Sequence, residues 1–459
     1  MQIRVITVVV AAVLALSSAA ARTQESPPGS TPAPPPSQPS SVRVEITSES
    51  GTQPRYAVPD FLALSADAET QAAAKTMGQV LWDDLAFERE FYMIPRKTYA
   101  SIQVPRRLSD VQLDQWREVG ADGLVVGTVE KTAEGLRVEV RLLSVKGAQT
   151  AFSREYTGSA SNPRYYAHTI SDDIHMEQRA LPGVARTKLT FSSDRDRTKA
   201  SGTVENREIK EVYISDYDGA NQRRVTATRA LNITPTWAPD GRAIAYTSYR
   251  SGFPDVLISL IYQGKQERPT GGRTQNWLPA WSPDGTRIAF TSNRDGNPDL
   301  YVMNRDGSNV RRITNHPMID TTPTWSPTGR EIAFTSDRSG SPQIYVAEAT
   351  GLNVRRITTG SSWCDRPTWS PAPYNELAYV CKTGPGYDVF LYSFQRGEAV
   401  RLTQGEGSNE SPAFAPTGRH LAFTSTRAGR IHVFTVGRDG VGVRQITTAG
   451  NNFTPDWSK

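Results

Sequence analysis

The amino-acid sequence predicts an α/β domain followed by an all-β six-bladed propeller that is closed by its C-terminal strand. Three observations lead to this fold class. A unit of about 44 residues recurs through the second half of the chain. Gly and Pro are frequent, at 35 and 31 of 459 residues, which argues against a helical bundle. The region before the repeats mixes helical and strand periodicity, which predicts an α/β domain. The repeat length of about 44 residues, with short strands, is typical of propeller blades.

The first 41 residues are predicted to serve export and spacing. Arg4, the apolar residues 5–16 and the small residues 19–21 match a secretory signal peptide cleaved after Ala21. This run of twelve residues is too short to span a bilayer, which needs about 20. The alternative to a signal peptide is a buried N-terminal helix. Residues 22–41 contain seven Pro in twenty. They are interpreted as a linker, with a Pro-rich ligand motif as the other possibility.

Residues 42–185 are predicted to form a small α/β domain. Alternating apolar residues over 42–46 indicate a strand, and an extended stretch over 57–64 precedes a helix that begins near Asp67. Apolar residues then recur three and four positions apart, which gives this helix one buried face. Later strands are expected over 123–129, 136–143 and 149–156, and a last helix is expected over about 165–178.

Two details of this domain are predicted from local patterns. Ser109 and Gln112 match a capping box for a second helix, which Gly120 ends. His168 and His175 lie seven residues apart on the last helix and share a face. Two helical turns separate them by about 10 Å, which is too far for two ligands of one metal ion. We therefore expect both imidazoles to have a packing or surface role.

Residues 186–459 are predicted to form the propeller. The repeat reads Pro-x-Trp-Ser/Ala-Pro-Asp/Thr-Gly, Ile-Ala-Phe/Tyr-Thr-Ser, Arg-x-Gly, Ile/Leu-Tyr-Val and Arg-Arg-Ile-Thr. Asp-Gly turns close the first hairpin of several units. Residues 187–228 lack a first strand, and residues 453–457 form one without followers, so we expect the two pieces to join and close the ring. An aromatic ring ends each first strand, at Trp237, Trp281, Trp325, Trp369, Phe414 and Trp457.

Cys364 and Cys381 flank the first hairpin of the fifth blade. If Trp369 faces Glu376 or Leu377, the antiparallel register places Cys364 opposite residue 381 or 382, within reach of a disulfide. Export favours the oxidised pair, and two buried thiols are the alternative.

Motifs of catalysis, metal binding and nucleic-acid binding are absent from the sequence. It contains no Gly-x-Ser-x-Gly, His-Glu-x-x-His or Cys-x-x-Cys motif and no Gly-rich phosphate loop, so we expect no catalytic residue, metal or cofactor. The net charge of +5 comes from 17 Lys and Arg against 20 Asp and Glu over 42–186, 33 against 26 over 187–459, and +1 from residues 1–41. Without basic clusters this balance does not predict nucleic-acid binding.

A propeller without catalytic motifs offers a binding surface. The segments that enter the first strands differ from one another, whereas the strands are nearly identical. Trp277 and Trp363 are large rings in these segments, of the kind that anchors interfaces, unless they pack over neighbouring blades. The carboxylates Asp320, Asp365 and Glu410 lie in the same segments and show no catalytic partner.

From about residue 42 onward, the chain resembles the TolB family, the periplasmic component of the Tol–Pal system. The order of export signal, α/β domain and six repeats carries the resemblance, together with Ala167-His168-x-Ile170-Ser171-Asp172 and the run 186–192. The resemblance implies a periplasmic, monomeric, non-enzymatic adaptor that supports outer-membrane integrity and cell constriction, without membrane insertion.

The resemblance also implies partners and a binding face. The peptidoglycan-associated lipoprotein would cap the propeller mouth, at positions matching Gln275, Leu278 and Thr321, with Trp277, Asp320 and Asn409 beside them. The remaining candidate partner-binding residues of the entering segments are Asn276, Trp363, Asp365 and Glu410.

The family's N-terminal tail engages the inner-membrane protein TolA. Residues 22–41 replace that tail here, and Gln275 stands where the family pattern predicts His. Two other functions stay open at this point. One is a hydrolase or lyase acting on carbohydrate or peptide at the mouth, and the other is a ligand-binding propeller without a Tol partner.

Overall fold

The computed structural model describes residues 45–47, 52–103, 105, 107–196 and 209–458. The predicted signal peptide and Pro-rich linker lie outside these residues, as does most of the strand expected over 42–46. Of the residues in that expected strand, Ile46 is buried, but the structure does not place it in a strand. Its N–H donates to Gln178 Oε1 at 3.0 Å. Among the described residues, no helix is both long enough and apolar enough to cross a membrane.

The amino-terminal part is an α/β domain built on one mixed sheet. The strands are β1 Arg55–Ala57, β2 Leu62–Ala63, β3 Tyr92–Met93, β4 Gly123–Thr132, β5 Gly135–Ser144 and β6 Gln149–Gly158. The central strand β4 pairs in parallel with β1 and β2 and antiparallel with β5. Strand β5 pairs in turn with β6, and β3 lies beside β1. The helices are α1 Ala68–Glu88, α2 Leu113–Glu118 and α3 Pro163–Arg179, with 3₁₀ turns at Arg96–Tyr99 and Leu108–Asp110.

Helix α1 begins where the sequence predicts. Asp67 is its N-cap, and its Oδ1 accepts the N–H of Thr70 at 3.0 Å, which satisfies a donor that the first turn leaves free. The apolar face of α1 packs with α3 in a core shared with the sheet. Helix α1 ends at Glu88, and its C-cap Arg89 has a left-handed φ of 61°.

The predicted capping box of the second helix is wrong. Helix α2 begins only at Leu113, after an extended residue at Val111. Ser109 lies in the preceding 3₁₀ turn and donates to Asp110 Oδ1 at 2.8 Å, and Gln112 Nε2 donates to the Asp110 carbonyl at 3.3 Å. Both side chains therefore bind Asp110 and leave the helix end without a side-chain cap.

Six four-stranded antiparallel sheets form the propeller, and their first strands contact one another around a central channel. The strands of each blade, from first to fourth, are Asn452–Trp457, Lys188–Ser193, Glu211–Asp216 and Arg223–Arg224 in blade 1; Asn232–Trp237, Ala243–Ser248, Asp255–Leu260 and Lys265–Glu267 in blade 2; Asn276–Trp281, Arg287–Ser292, Asp299–Asn304 and Arg311–Arg312 in blade 3; Asp320–Trp325, Glu331–Ser336, Gln343–Glu348 and Arg355–Arg356 in blade 4; Cys364–Trp369, Glu376–Thr383, Gly386–Ser393 and Glu398–Arg401 in blade 5; and Asn409–Phe414, His420–Ser425, His432–Gly437 and Arg444–Gln445 in blade 6.

The C-terminal strand closes the ring, which confirms the predicted fold. Asn452 pairs with Ser193 and Trp457 with Leu189, so blade 1 is assembled from both ends of the propeller sequence. Trp457 Nε1 also donates to Thr187 Oγ1 at 2.7 Å, which ties the closing strand to the segment that joins the two domains.

A bulge interrupts the pairing of the first two strands in every blade. The third residue of each first strand has a positive φ between 46° and 56°, a conformation that β-branched residues rarely adopt. Six occurrences at one position indicate a feature of the repeat that re-aims the start of each first strand. The six residues are Thr234, Leu278, Thr322, Arg366, Ser411 and Thr454.

The α/β domain packs on the end of the propeller where the first strands finish, here named the proximal end. The Phe87 ring stacks on His420, with centroids 4.4 Å apart, and meets Tyr217 edge-on at 4.9 Å. Glu88 Oε2 accepts a hydrogen bond from Arg419 Nη2 at 2.7 Å. Burial favours the neutral acid, but nearby positive charge prevails and lowers the pKa of Glu88. A single hydrophobic cluster spans this contact.

Candidate functional site

The opposite end of the propeller carries the candidate binding surface. We name it the distal mouth and define it by the second and third residues of the six first strands. Of these twelve residues, Ser411 is buried and the others are partly exposed. The pairs are 453–454, 233–234, 277–278, 321–322, 365–366 and 410–411, in the order of blades 1 to 6.

A buried Asn or Asp, here called the anchor, is the first residue of the first strand in five blades and precedes the distal-mouth pair. In four of these blades it accepts a hydrogen bond from an Arg that follows the second strand of the same blade, whereas Asn232 of blade 2 donates to Glu211 Oε2 at 3.0 Å. In blade 4, Arg338 Nη2 donates to both carboxylate oxygens of Asp320 at 2.9 Å, and its guanidinium lies over the Phe334 and Tyr345 rings. The other pairs are Asn452 with Arg195 at 2.9 Å, Asn276 with Arg294 at 3.0 Å and Asn409 with Arg427 at 3.0 Å.

The structure corrects the interpretation of these anchors as loop residues. Asn276, Asp320 and Asn409 are strand residues with no exposed surface. Their side chains are hydrogen-bonded within the propeller, directly before the two residues of the distal mouth. The sequence signal for this pairing is the Ser-x-Arg that begins at the last residue of the second strand in five of the six blades, as at residues 336–338. Its Arg binds the anchor in four of these blades.

Blade 5 replaces this polar anchor with a disulfide. Cys364 occupies the Asn or Asp position and Cys381 occupies the position of the Ser, and the two sulfurs are bonded. Trp369 pairs with Leu377, which in an unbroken ladder would place Cys364 opposite Lys382. The bulge between Asp365 and Thr368 shifts the register by one residue and brings Cys381 opposite Cys364 instead.

A second buried network supports the anchor of blade 6. Asp388 Oδ1 accepts Asn409 Nδ2 at 2.9 Å and Thr403 Oγ1 at 2.7 Å. Burial favours the neutral acid, but hydrogen bonds from Thr383, Thr403 and Arg401 outweigh it and lower the pKa of Asp388. Asn409 is thus fixed from the neighbouring blade as well as from its own.

The distal mouth has two chemically different halves. Blades 1 to 3 supply large apolar side chains, namely Phe453, Ile233, Trp277 and Leu278. Blades 4 to 6 supply Thr, Asp, Arg, Glu and Ser instead. An apolar half beside a hydrogen-bonding half suits a protein partner, because such interfaces combine aromatic anchors with polar contacts.

The polar half links adjacent blades. Asp365 Oδ1 accepts the hydroxyls of Thr335 at 2.7 Å and Thr322 at 3.2 Å from blade 4. Arg366 Nη1 donates to Ser411 Oγ of blade 6 at 3.0 Å. Glu410 Oε1 accepts a hydrogen bond from the Ser408 hydroxyl at 3.0 Å. Both carboxylates of the distal mouth, Asp365 and Glu410, are therefore hydrogen-bonded within the propeller, as is the anchor Asp320 beneath it.

The two predicted aromatic anchors differ in their surroundings. Trp277 belongs to the first strand of blade 3, pairs with Thr291 and is partly exposed. Trp363 packs on Tyr387 of its own blade, with ring centroids 5.0 Å apart, and its carbonyl accepts the Lys382 N–H. Trp277 is therefore the aromatic ring more available to a partner.

The remaining candidates also lie at this end. Gln275 is partly exposed, and its N–H donates to Asn293 Oδ1 at 3.0 Å. Thr321 is partly exposed and pairs with Thr335. Leu278, Thr321, Asp365 and Glu410 belong to the distal mouth, Gln275 lies directly before the anchor Asn276, and the three anchors lie beneath the mouth.

The proximal end of the channel is more uniform. A cavity of about 420 Å³ is bordered by the six ring residues at the ends of the first strands and by Pro residues that follow them. Asp456 is the only carboxylate on its wall among the described residues, and its Oδ2 accepts the Trp237 N–H at 2.6 Å. Burial raises the pKa of Asp456 to about 6.

Comparison with known proteins identifies both parts of the chain. Residues 42–151 match the family described as the TolB amino-terminal domain, and residues 182–383 match the TolB beta propeller domain. The Tol-Pal system protein TolB of Desulfosudis oleivorans is 31% identical over 207 residues, 44% of each chain. That of a Jannaschia species is 32% identical over 223 residues, 48% of each chain. The chain thus spans about half the length of the curated relatives it matches.

A solved structure extends the likeness over nearly the whole chain. The crystal structure of TolB from Acinetobacter baumannii aligns with a TM-score of 0.75 and 26% sequence identity, covering 89% of this chain and 97% of that one. The two domains occur in the same order in the family matches and in this fold. The chain belongs to the TolB family.

Proposed function

We propose that the protein is a non-enzymatic adaptor of the Tol–Pal system whose distal mouth binds the peptidoglycan-associated lipoprotein. The observation that carries this proposal is the contrast within the mouth itself. Each blade presents two residues at the mouth, and eleven of these twelve residues are partly exposed. The first residue of the pair is different in all six blades, whereas the second is Thr in three blades and Leu, Arg or Ser in the others. A rigid scaffold that presents varied side chains is suited to recognising one partner, because little conformational entropy is lost on binding.

The chemistry of the mouth supports binding rather than catalysis. Asp320 is paired with Arg338, and Asp365 accepts two hydroxyls, so both are occupied by structural hydrogen bonds. A hydrolase or lyase would need an acid and a base, or metal ligands, converging on one point. We therefore favour the adaptor over a carbohydrate or peptide hydrolase or lyase.

The inner-membrane side of the proposal concerns residues 22–41. The family resemblance implies a TolA-like partner for the N-terminal tail, and this chain has a Pro-rich segment at that place. We propose that the protein is exported to the periplasm, is cleaved after Ala21 and links both partners in support of outer-membrane integrity and constriction. N-terminal sequencing of the periplasmic fraction tests the cleavage site.

The decisive measurement is calorimetric titration of residues 22–459 with the peptidoglycan-associated lipoprotein from the same organism. We expect one-to-one binding at micromolar affinity or tighter. Trp277→Ala with Thr321→Ala removes an apolar and a polar contact from the mouth, so binding should weaken by at least about 30-fold, the loss of a hot-spot residue.

The matched control is Leu352→Ala. Leu352 is 64% exposed and lies in blade 4 between its third and fourth strands, away from the distal mouth. This variant should bind like the wild type. Absence of wild-type binding at tens of micromolar would overturn the adaptor proposal, whereas undiminished binding by the double variant would overturn only the choice of face.

A further inference from the structure

The contact between α3 and blade 1 contains a cluster of metal-type ligands that the proposed function does not use. His168 lies on α3, Asp216 ends the third strand of blade 1, and Asp218 follows in the next turn. One ligand atom from each lies within 4.8 Å of the others. No other group of three such side chains meets this distance in the described part of the chain.

The His168 imidazole is held in the orientation of a metal ligand. It is 3% exposed, and its Nδ1 lies 2.8 Å from Asp84 Oδ2, whose other oxygen accepts the Tyr217 hydroxyl at 2.7 Å. Its Nε2 has no hydrogen-bond partner among the described residues and lies 3.9 Å from Asp216 Oδ2. A carboxylate on one ring nitrogen, with the other nitrogen aimed at further ligands, is the arrangement that orients histidines in metal sites.

The two aspartates keep coordination capacity despite their present partners. Asp216 Oδ1 accepts Lys188 Nζ at 2.8 Å, and its Oδ2 accepts Asn221 Nδ2 at 2.6 Å. Asp218 pairs with Arg164 and accepts the Ala220 N–H at 3.0 Å. A carboxylate offers about four lone-pair positions, so with two partners each, about two positions per residue remain for an ion.

Access to the cluster runs past the two cationic side chains. The Lys188 side chain is 39% exposed and that of Arg164 is 24% exposed, so both extend from the cluster towards the solvent. Lys188 pairs with Asp216 and Arg164 with Asp218, whereas Asp84 pairs with His168. An ion at the cluster would therefore share the two aspartates with these cationic side chains.

The donor set identifies the chemical class of the ion. One imidazole nitrogen and carboxylate oxygens suit zinc and similar divalent transition metals, with bonds of about 2.0–2.2 Å. With such bonds, the separation of 3.9 Å between Nε2 and Oδ2 corresponds to an angle of about 125–155° at the ion, so the two donors would approach by about 0.5 Å to reach tetrahedral geometry.

We propose that His168, Asp216 and Asp218 bind a divalent transition-metal ion of the zinc class between the α/β domain and blade 1. Because the imidazole comes from one domain and both carboxylates from the other, the ion joins the two domains and stiffens their contact. This inference is independent of the proposed function, since it concerns neither the distal mouth nor its partner.

The test uses residues 22–459, stripped with a chelator and titrated with Zn²⁺ in competition with a chromogenic chelator. We expect one equivalent to bind with a Kd in the low micromolar range or tighter. His168→Gln and Asp218→Asn should each weaken binding at least tenfold. Co²⁺ in place of Zn²⁺ should give visible absorption bands that both variants lose.

The matched control is His175→Gln, which removes the other buried imidazole of α3. Its Nδ1 lies 2.9 Å from the Ser171 carbonyl, and it is not part of the cluster. This variant should bind Zn²⁺ like the wild type. Circular dichroism establishes that each variant is folded, and if His168→Gln does not fold, Asp218→Asn alone decides. No wild-type binding at 100 µM Zn²⁺, or wild-type affinity in the folded ligand variants, would overturn the proposal.

Discussion

The two ends of the propeller are built from the same strands but solve different problems. At the proximal end, five Trp and one Phe repeat with little variation and are buried between blades, and the α/β domain packs there. At the distal mouth, the exposed residues change from Phe453 and Trp277 to Asp365 and Glu410 around the ring. The proximal end therefore provides cohesion, and the distal end provides a surface whose chemistry varies over a constant scaffold.

The comparison shows at which end of the propeller the residue type has to be the same in every blade. A ring that is buried between blades must fit the space there, so nearly the same residue ends the first strand of every blade. A partner-binding surface needs different groups at each position, but those groups are useful only if their backbone is fixed. The buried Asn or Asp anchors and the blade 5 disulfide provide that fixation.

The largest expected effect tests the cohesion of the proximal end. Trp325 is 5% exposed, and its Nε1 donates to the Ala280 carbonyl of blade 3 at 3.2 Å. Trp325→Ala should lower the free energy of unfolding by about 3–5 kcal/mol, because it opens a cavity between blades. Trp277→Ala, at the distal mouth, should lower it by less than about 1 kcal/mol. Urea denaturation followed by far-ultraviolet circular dichroism measures both.

The comparison of the two ends fails if these two variants lose similar stability. An equal loss would mean that Trp277 is part of the core and is unsuited to binding. Near-ultraviolet circular dichroism of both folded variants, compared with the wild type, shows whether packing elsewhere has changed.

The next effect concerns how blade 5 holds its part of the distal mouth. The Cys364–Cys381 bond closes a loop with a sequence separation of 17. Cys364→Ser with Cys381→Ser should therefore lower the free energy of unfolding by about 3 kcal/mol on the chain-entropy model. Chemical denaturation of the double variant, and of the wild type with and without reductant, measures the loss.

Reduced wild type should behave like the double serine variant, which serves as its control. If neither differs from the oxidised protein, the disulfide contributes nothing, and the adjacent strand pairing alone holds Cys364 in place.

The smallest effect is the pH dependence of the proximal end. Asp456 has its pKa raised from 3.8 to about 6 by burial, so the folded state binds a proton more tightly than the unfolded state. Stability should therefore fall as pH rises from about 4 to 6. The full shift corresponds to about 3 kcal/mol, and contact with the channel reduces the expected change to about 1–2 kcal/mol.

Asp456→Asn removes this titration and can still accept the Trp237 N–H. We expect the variant to be more stable than the wild type at pH 7.5 by about 1–2 kcal/mol, and nearly equal to it at pH 4. Thermal unfolding at both pH values gives the comparison. A constant difference across this range would show that Asp456 does not titrate there.

Most of the fold could be predicted because it depends on repetition. The ring residues at a 44-residue spacing identified the six blades, and the incomplete pieces at 187–228 and 453–457 predicted ring closure. Asp67 identified the start of α1, since an N-cap is a local signal. The Ser109 and Gln112 pattern is equally local, but Asp110 bound both side chains and the helix began later.

The site was harder to predict for a physical reason. Asn276, Asp320 and Asn409 are polar, so pattern analysis placed them in loops, but each is buried because a partly exposed Arg satisfies it. Such pairing depends on contacts between residues 18 apart in sequence, as for Asp320 and Arg338. The bulge that sets their register leaves no clear signature in residue type.

The pairing of Lys188 N–H with Ser458 Oγ joins residues 270 apart in the chain and seals blade 1. During synthesis, the α/β domain and blades 2 to 6 can therefore acquire their structure before the segment that seals the ring exists. Until then, the free edges of blades 1 and 2 and the Thr187 hydroxyl stay uncovered. A chain shortened by a few C-terminal residues would keep these edges exposed, and proteases or chaperones that recognise unpaired strands would distinguish it from the finished protein.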